Sequence, residues 1–201
     1  MENDIIRGET IANAQDEVNA RAARMPEGEV ILRLALHILG LPRALPCVTV
    51  CLDRHHVMSN GVNIFSPTDF LSNEGWVQTE QHGKHPWFGS YTKSGHKIIV
   101  SPNSHGGDIV ATVGRTRVRA ECKKGNLQRT KGNPENKLIH EAIGQLMTIE
   151  EFDPDDVLLV AVPRSDASRS KFKWQIRPLM QRIGIHLVLV GSRPFKPKCP
   201  P

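Results

Sequence analysis

Two carboxylates and an ammonium stand in the middle of this 201-residue chain at spacings that suit one chemistry. Asp108 opens an apolar run, Ile109-Val110-Ala111-Thr112-Val113, and residues Arg117 to Lys123 alternate between two kinds of side chain. Successive side chains of a strand point to opposite faces. Val118, Ala120 and Cys122 therefore share one face, and Arg117, Arg119, Glu121 and Lys123 share the other. A tight turn over Gly114–Thr116, where glycine accepts positive φ, folds the two runs into a hairpin. Paired strands lie about 5 Å apart, so the hairpin sets Asp108 beside Glu121 and Lys123. Such a group on one sheet face suits a hard divalent cation and a phosphate ester.

Asp108 and the Glu121-Cys122-Lys123 triplet, with twelve residues between Asp108 and Glu121, resemble the motif of the PD-(D/E)XK nuclease superfamily. The resemblance covers about residues 95 to 191, where helix, strand, helix and strand follow the hairpin. It departs at Gly107, which stands where the motif has Pro. The resemblance implies an α/β, restriction-endonuclease-like fold: a mixed central β-sheet, antiparallel hairpin plus parallel β-α-β, flanked by helices. It implies an Mg²⁺-dependent deoxyribonuclease of the endonuclease kind, with Mn²⁺ able to substitute, and a homodimer as one arrangement that relatives use. Asp108, Glu121 and the backbone carbonyl of Cys122 would hold the metal. Lys123 would orient or deprotonate the attacking water, and Gln145 would support the site. The alternative is a non-catalytic nucleic-acid-binding module on the same fold. A second E-x-K triplet, Glu135-Asn136-Lys137, follows Asn133-Pro134, a helix start and not a strand.

The elements that must hold these residues can be read outward from the hairpin. His96–Val100 reads as a strand leading into it, and His105 sits in the connection without an assigned role. Downstream, Pro134 to Ile149 reads as a helix whose buried stripe is Leu138, Ile139, Ala142, Ile143, Leu146 and Met147. Gln145 lies on another face, at the position where several branches of the superfamily carry a Gln; an ordinary exposed Gln is the competing reading. Gly144 would let the helix approach the sheet closely. The acidic run Glu150, Glu151, Asp153, Asp155, Asp156 reads as a solvated turn. Val157–Val162 reads as a strand covered on both faces. A helix over 168–183, kinked or split at Pro178, leads to a last strand, His186–Val190, in a parallel, right-handed crossover. Residues 194–201 read as an extended tail.

Upstream, residues 9–24 read as a peripheral helix. A second helix over Glu29–Leu39 buries Ile31, Leu34, Ala35 and Ile38, and ends at Gly40 and Pro42. In the resembled fold a helix here often carries an extra carboxylate facing the metal; Glu29 is the candidate, against an ordinary first-turn Glu. Residues 41–94 read as an insertion or irregular region with a short strand over Val48–Leu52. Cys47, Cys51, His55 and His56 invite a zinc reading, but the spacing matches no common zinc motif, and free cysteines buried in a strand are commoner. Trp87, Phe88 and Tyr91, among Lys84, Lys93, His82 and His85, either stack on bases or anchor a loop.

The net charge of +5 favours a polyanionic partner, here DNA. Eight basic residues between Arg115 and Lys137 face only Glu121 and Glu135, so Arg117, Arg119, Lys124 and Lys131 are candidate phosphate contacts. A charged, solvated strand edge would look the same. Four cysteines make no dense disulfide framework. No basic-then-apolar leader follows Met1, and no apolar run approaches the ~18 residues of a membrane span. The expectation is a single cytoplasmic domain over 1–201 with its catalytic core in 95–191.

Overall fold

In the computed structural model the described residues are 23–103, 106–128, 134–171 and 178–192. The hairpin forms where the alternation puts it. β5 (Ile109–Val113) pairs antiparallel with β6 (Thr116–Cys122) around a two-residue turn, Gly114-Arg115, one residue shorter than expected. Ala120 and Cys122 pack into the main core, while Glu121 and Lys123 emerge on the other face.

Around the hairpin the described residues build an eight-stranded mixed sheet. The other strands are β1 (Ala44–Cys51), β2 (Val77–Gln81), β3 (Gly89–Lys93), β4 (His96–Ser101), β7 (Val157–Pro163) and β8 (Ile185–Val190). Their order is β8-β7-β6-β5-β1-β4-β3-β2. β6, β7 and β8 run parallel, as do β1 and β4, and the remaining neighbours are antiparallel. The chain is thus α/β, a large mixed sheet flanked by helices.

The stretch 41–94 is not irregular. It supplies β1, which lies at the centre of the sheet beside β5, and the edge pair β2 and β3. Its sequence hid β1 because only Val48, Val50 and Cys51 of that strand are buried, while Leu45, Pro46 and Cys47 are exposed. Trp87, Phe88 and Tyr91 belong to the core, with the Trp87 Nε1–H donating to the Leu52 carbonyl at 3.3 Å. They anchor the chain and offer no stacking platform.

Helix α1 (Glu27–Leu39) lies on the Ala120 and Cys122 face, and is buried nearly all round. Its second side is covered by α2 (Arg54–Val57) and α3 (Pro67–Asn73). Gly28 makes that fit possible: a Cβ there would stand 2.9 Å from the Phe65 ring and 3.0 Å from the His56 carbonyl. The start of α1 is fixed from the other direction by a short antiparallel pairing of Arg24–Met25 with Gly125–Asn126. Residues 9–22 of the expected first helix lie outside the described residues, and Arg24 is in a strand, not a helix.

Helix α4 (Pro134–Leu146) covers the opposite face, packing Ile139, Ala142 and Leu146 on Leu158, Val160 and Val162 of β7. β7 is therefore apolar throughout because each face meets a different helix. Gly144 plays no part in the approach, since a Cβ there would meet nothing within 4 Å. Of the helical stretch expected over 168–183, α5 (Asp166–Lys171) and α6 (Pro178–Ile183) are described, and residues 172–177 between them lie outside the described residues. Residues 194–201 lie outside the described residues. No helix among them is long and apolar enough to cross a membrane.

Candidate active site

Asp108 is pinned between two strands. Its carbonyl accepts the Cys51 N–H at 2.8 Å, and its Oδ2 accepts the Cys122 N–H at 2.8 Å. The residue before it, Gly107, has φ +122°, and a Cβ there would stand 2.9 Å from the Ala120 carbonyl oxygen. Proline fixes φ near −65°, so the departure from the motif at this position is a backbone requirement of this chain.

Asp108, Glu121 and Lys123 are 6%, 8% and 5% exposed, yet all three line one cavity of about 620 Å³. Burial raises the pKa of Asp108, and burial together with the Asp108 charge pushes Glu121 up to about 8. Like charges in one buried site oppose double ionisation, so Glu121, raised to about 8, keeps its proton at neutral pH. Burial favours neutral Lys123, but Glu27 beside it wins: the Lys123 pKa is raised. The lysine is an ammonium here, not a base.

Glu27, in the first turn of α1, is the carboxylate that sequence reading missed. Its Oε1 lies 3.1 Å from Lys123 Nζ and its Oε2 accepts the Lys124 N–H at 3.4 Å. Despite burial, the hydrogen bond from His56 and the charge of Lys123 hold it down to about 2. The expected candidate, Glu29, instead pairs with Arg33 at 2.7 Å along the helix. Helix phase explains the miss: Glu27 and Glu29 are about 200° apart around the axis at 3.6 residues per turn, so only one can face the cavity. The strand pairing of Arg24–Met25 with Gly125–Asn126 places Glu27 opposite Lys123.

His56 is the second missed residue. It lies at the far end of β1, on α2, where Asp53 caps the helix: its Oδ1 accepts N–H groups of His55 and His56 at 2.7 and 3.2 Å. His56 completes a capping box, its Nδ1 accepting the Asp53 N–H at 3.1 Å. Its Nε2 stands 3.5 Å from Glu27 and 3.9 Å from Asp108. Burial would lower its pKa, but the hydrogen bond to Glu27 and the surrounding carboxylates raise it. Candidate ligand atoms of Glu27, His56 and Asp108 all lie within 4.8 Å of one another. Cys47, Cys51 and His55 belong to no such group among the described residues, and burial pushes the Cys51 thiol up to about 12. The zinc set is not assembled.

Arg117 and Arg119 are committed elsewhere. Asp156, its side chain 2% exposed, receives both guanidiniums: Arg117 at 2.8 to 3.1 Å and Arg119 at 3.0 Å. Burial would raise the Asp156 pKa; those hydrogen bonds lower it. The acidic run therefore does not end in a solvated turn but is clamped to β6. Arg119, buried in the cavity wall, also donates to the carbonyls of Gly106 at 3.1 Å and Glu151 at 2.7 Å. It ties together the loops on either side of the cavity. Gln145 lines the cavity at its exposed rim, and Lys124 is exposed beside the site. Lys131 and His105 lie outside the described residues.

Comparison of the chain with protein-family models, curated proteins and solved structures gives no match.

Proposed function

We propose that the chain is a restriction-endonuclease-like nuclease that hydrolyses phosphodiester bonds in DNA with Mg²⁺ bound at Asp108 and Glu121. One observation carries the reading: the buried side chains of Asp108, Glu121 and Lys123 line one cavity beside the end of β6. The donor set suits a hard dication. Asp108 and Glu121 offer oxygens whose mutual repulsion raises the Glu121 pKa, and a bound dication would relieve it. The Cys122 carbonyl is a third oxygen, on the side of β6 where its N–H already serves Asp108.

Bound there, Mg²⁺ would polarise the phosphate and acidify a water. The protein's own part is placement. Asp108 is held rigid by two backbone N–H and carbonyl contacts. Lys123, kept charged by Glu27, orients the attacking water and stabilises the charge that develops on the phosphate; it does not remove the proton. Gln145 meets the substrate at the rim. Lys124 and Lys131 remain proposed phosphate contacts, while Arg117 and Arg119 serve the wall through Asp156.

The test is cleavage of supercoiled, linear, branched and single-stranded DNA with Mg²⁺ or Mn²⁺. Cleavage of at least one substrate, lost in Glu121→Gln, is the expected result. No cleavage of any of them, with DNA binding retained, would favour a non-catalytic nucleic-acid-binding module and overturn the enzyme reading.

A further inference from the structure

His56 is close enough to Glu27 and Asp108 to look like a third metal ligand, and the environment of its ring argues otherwise. A ligating imidazole donates its far N–H to a carbonyl or carboxylate, which leaves a lone pair for the metal. His56 does the reverse. Its Nδ1 accepts the backbone N–H of Asp53 at 3.1 Å, inside a capping box that also fixes the start of α2. Asp53 Oδ1, 3.4 Å from the same nitrogen, is already taken by the N–H groups of His55 and His56. With Nδ1 used as an acceptor, the ring's proton is on Nε2, the nitrogen that faces the cavity.

That Nε2–H makes only a long hydrogen bond, to Glu27. Glu27 at 3.5 Å and Asp108 at 3.9 Å both lie beyond the ~2.7–3.2 Å of a good hydrogen bond. Glu27 Oε1 is meanwhile engaged by Lys123 at 3.1 Å. Lys123 Nζ and His56 Nε2 both stand beside Glu27 Oε1, at 3.1 and 3.5 Å, so the ammonium and the N–H border the same part of the cavity; once a cation offsets the carboxylates, this pair suits an added anionic oxygen.

We propose that His56 is not a ligand of the cation but a fixed hydrogen-bond donor, presenting Nε2–H to a non-bridging oxygen of the phosphodiester in the cavity. The identity of that oxygen rests on the nuclease reading; the donor state of the ring rests on the capping box alone.

The experiment has three arms. Long-range ¹⁵N–¹H correlation spectra of the metal-free protein, with the His56 signal identified by its loss in His56→Gln, should show Nε2 protonated and Nδ1 bare; a ring protonated on Nδ1 alone overturns the proposal. Calorimetric Mn²⁺ titration should give His56→Ala an affinity within about threefold of the wild type, whereas a loss in the ~10–100-fold range expected of a ligand overturns it. Binding of a short DNA oligonucleotide in Ca²⁺ should weaken about tenfold or more in His56→Ala and much less in His56→Gln, which keeps both a capping acceptor and an N–H donor; equal binding by the wild type and the Ala variant overturns it. If His56→Ala does not fold, His56→Glu, which caps but cannot donate, replaces it. A wild type that cleaves nothing refutes the nuclease reading while the first two arms still decide the state of His56.

Discussion

Removing the Glu121 carboxylate should make the metal-free protein more stable while ending the proposed DNA cleavage. In the fold the carboxyl has a pKa of about 8 against an ordinary value of 4.5, because burial and the Asp108 charge both oppose ionisation. A folded-state pKa raised in this way gives stability that is full below pH 4.5 and is lost as pH rises through 8. At pH 7 the unfolded chain has released this proton and the folded chain has not. The difference, 1.36 kcal/mol per pH unit over about two and a half units, is roughly 3 kcal/mol; allowing for relaxation around a buried carboxyl, about 2–3 kcal/mol is expected. Glu121→Gln is neutral at every pH, has nearly the same shape and keeps a donor for Asp108. Its Tm at pH 7 should rise by roughly 5–10 °C, at about 2–4 °C per kcal/mol for a chain of this size. Near pH 4.5 the gain should almost vanish. Mg²⁺ should raise the Tm of the wild type more than that of the variant. Thermal melts by circular dichroism at pH 4.5, 6, 7 and 8, with and without Mg²⁺, measure all of this. A variant no more stable than the wild type at pH 7, or a gain independent of pH, would refute the shared-proton account of Asp108 and Glu121.

Glu27→Gln should act in the opposite direction. It strands a buried Lys123 and costs on the order of 3–5 kcal/mol, read as a lowered Tm; because the Glu27 pKa is held down to about 2, the stability it gives is present above pH 4.5 and lost as pH falls toward 2. Lys123→Met should stop cleavage yet leave Mn²⁺ affinity within a few-fold by calorimetry, and Lys123→Arg should not restore cleavage, since a planar guanidinium cannot take the ammonium's place against Glu27. Gly107→Pro, which would match the motif the chain resembles at that position, should prevent folding, because φ +122° is closed to proline; soluble expression and circular dichroism check it.

The facing of Asp108, Glu121 and Lys123 was more legible than their surroundings. Strict alternation in β6 gave the facing of Glu121 and Lys123, and the hairpin gave Asp108, because both are local consequences of period two. The helix carboxylate was expected on the right element but at the wrong phase. No local pattern distinguishes Glu27 from Glu29 when α1 is buried on nearly every side; that distinction comes from Gly28 and from the strand pairing at Arg24–Met25. β1 was undervalued because half of it is exposed, although the sheet is built around it. His56 was visible only as part of a cysteine-histidine cluster, and the Asp53-to-His56 spacing of a capping box was the overlooked signal. The basic run over Arg115–Lys137 suggested phosphate contacts, but Asp156, distant in sequence, takes two of its members.

The pairing of Glu27 with Lys123 joins residues ninety-six positions apart, and this bears on when the molecule becomes competent. The β5–β6 hairpin brings Asp108, Glu121 and Lys123 together through local contacts, which close fast. The ammonium gains its counter-charge only when α1 has docked across the finished sheet, a late, non-local event. A nascent or truncated chain can therefore own the whole motif without an armed lysine. Regain of the proposed cleavage in a refolding time course should lag behind regain of strand signal.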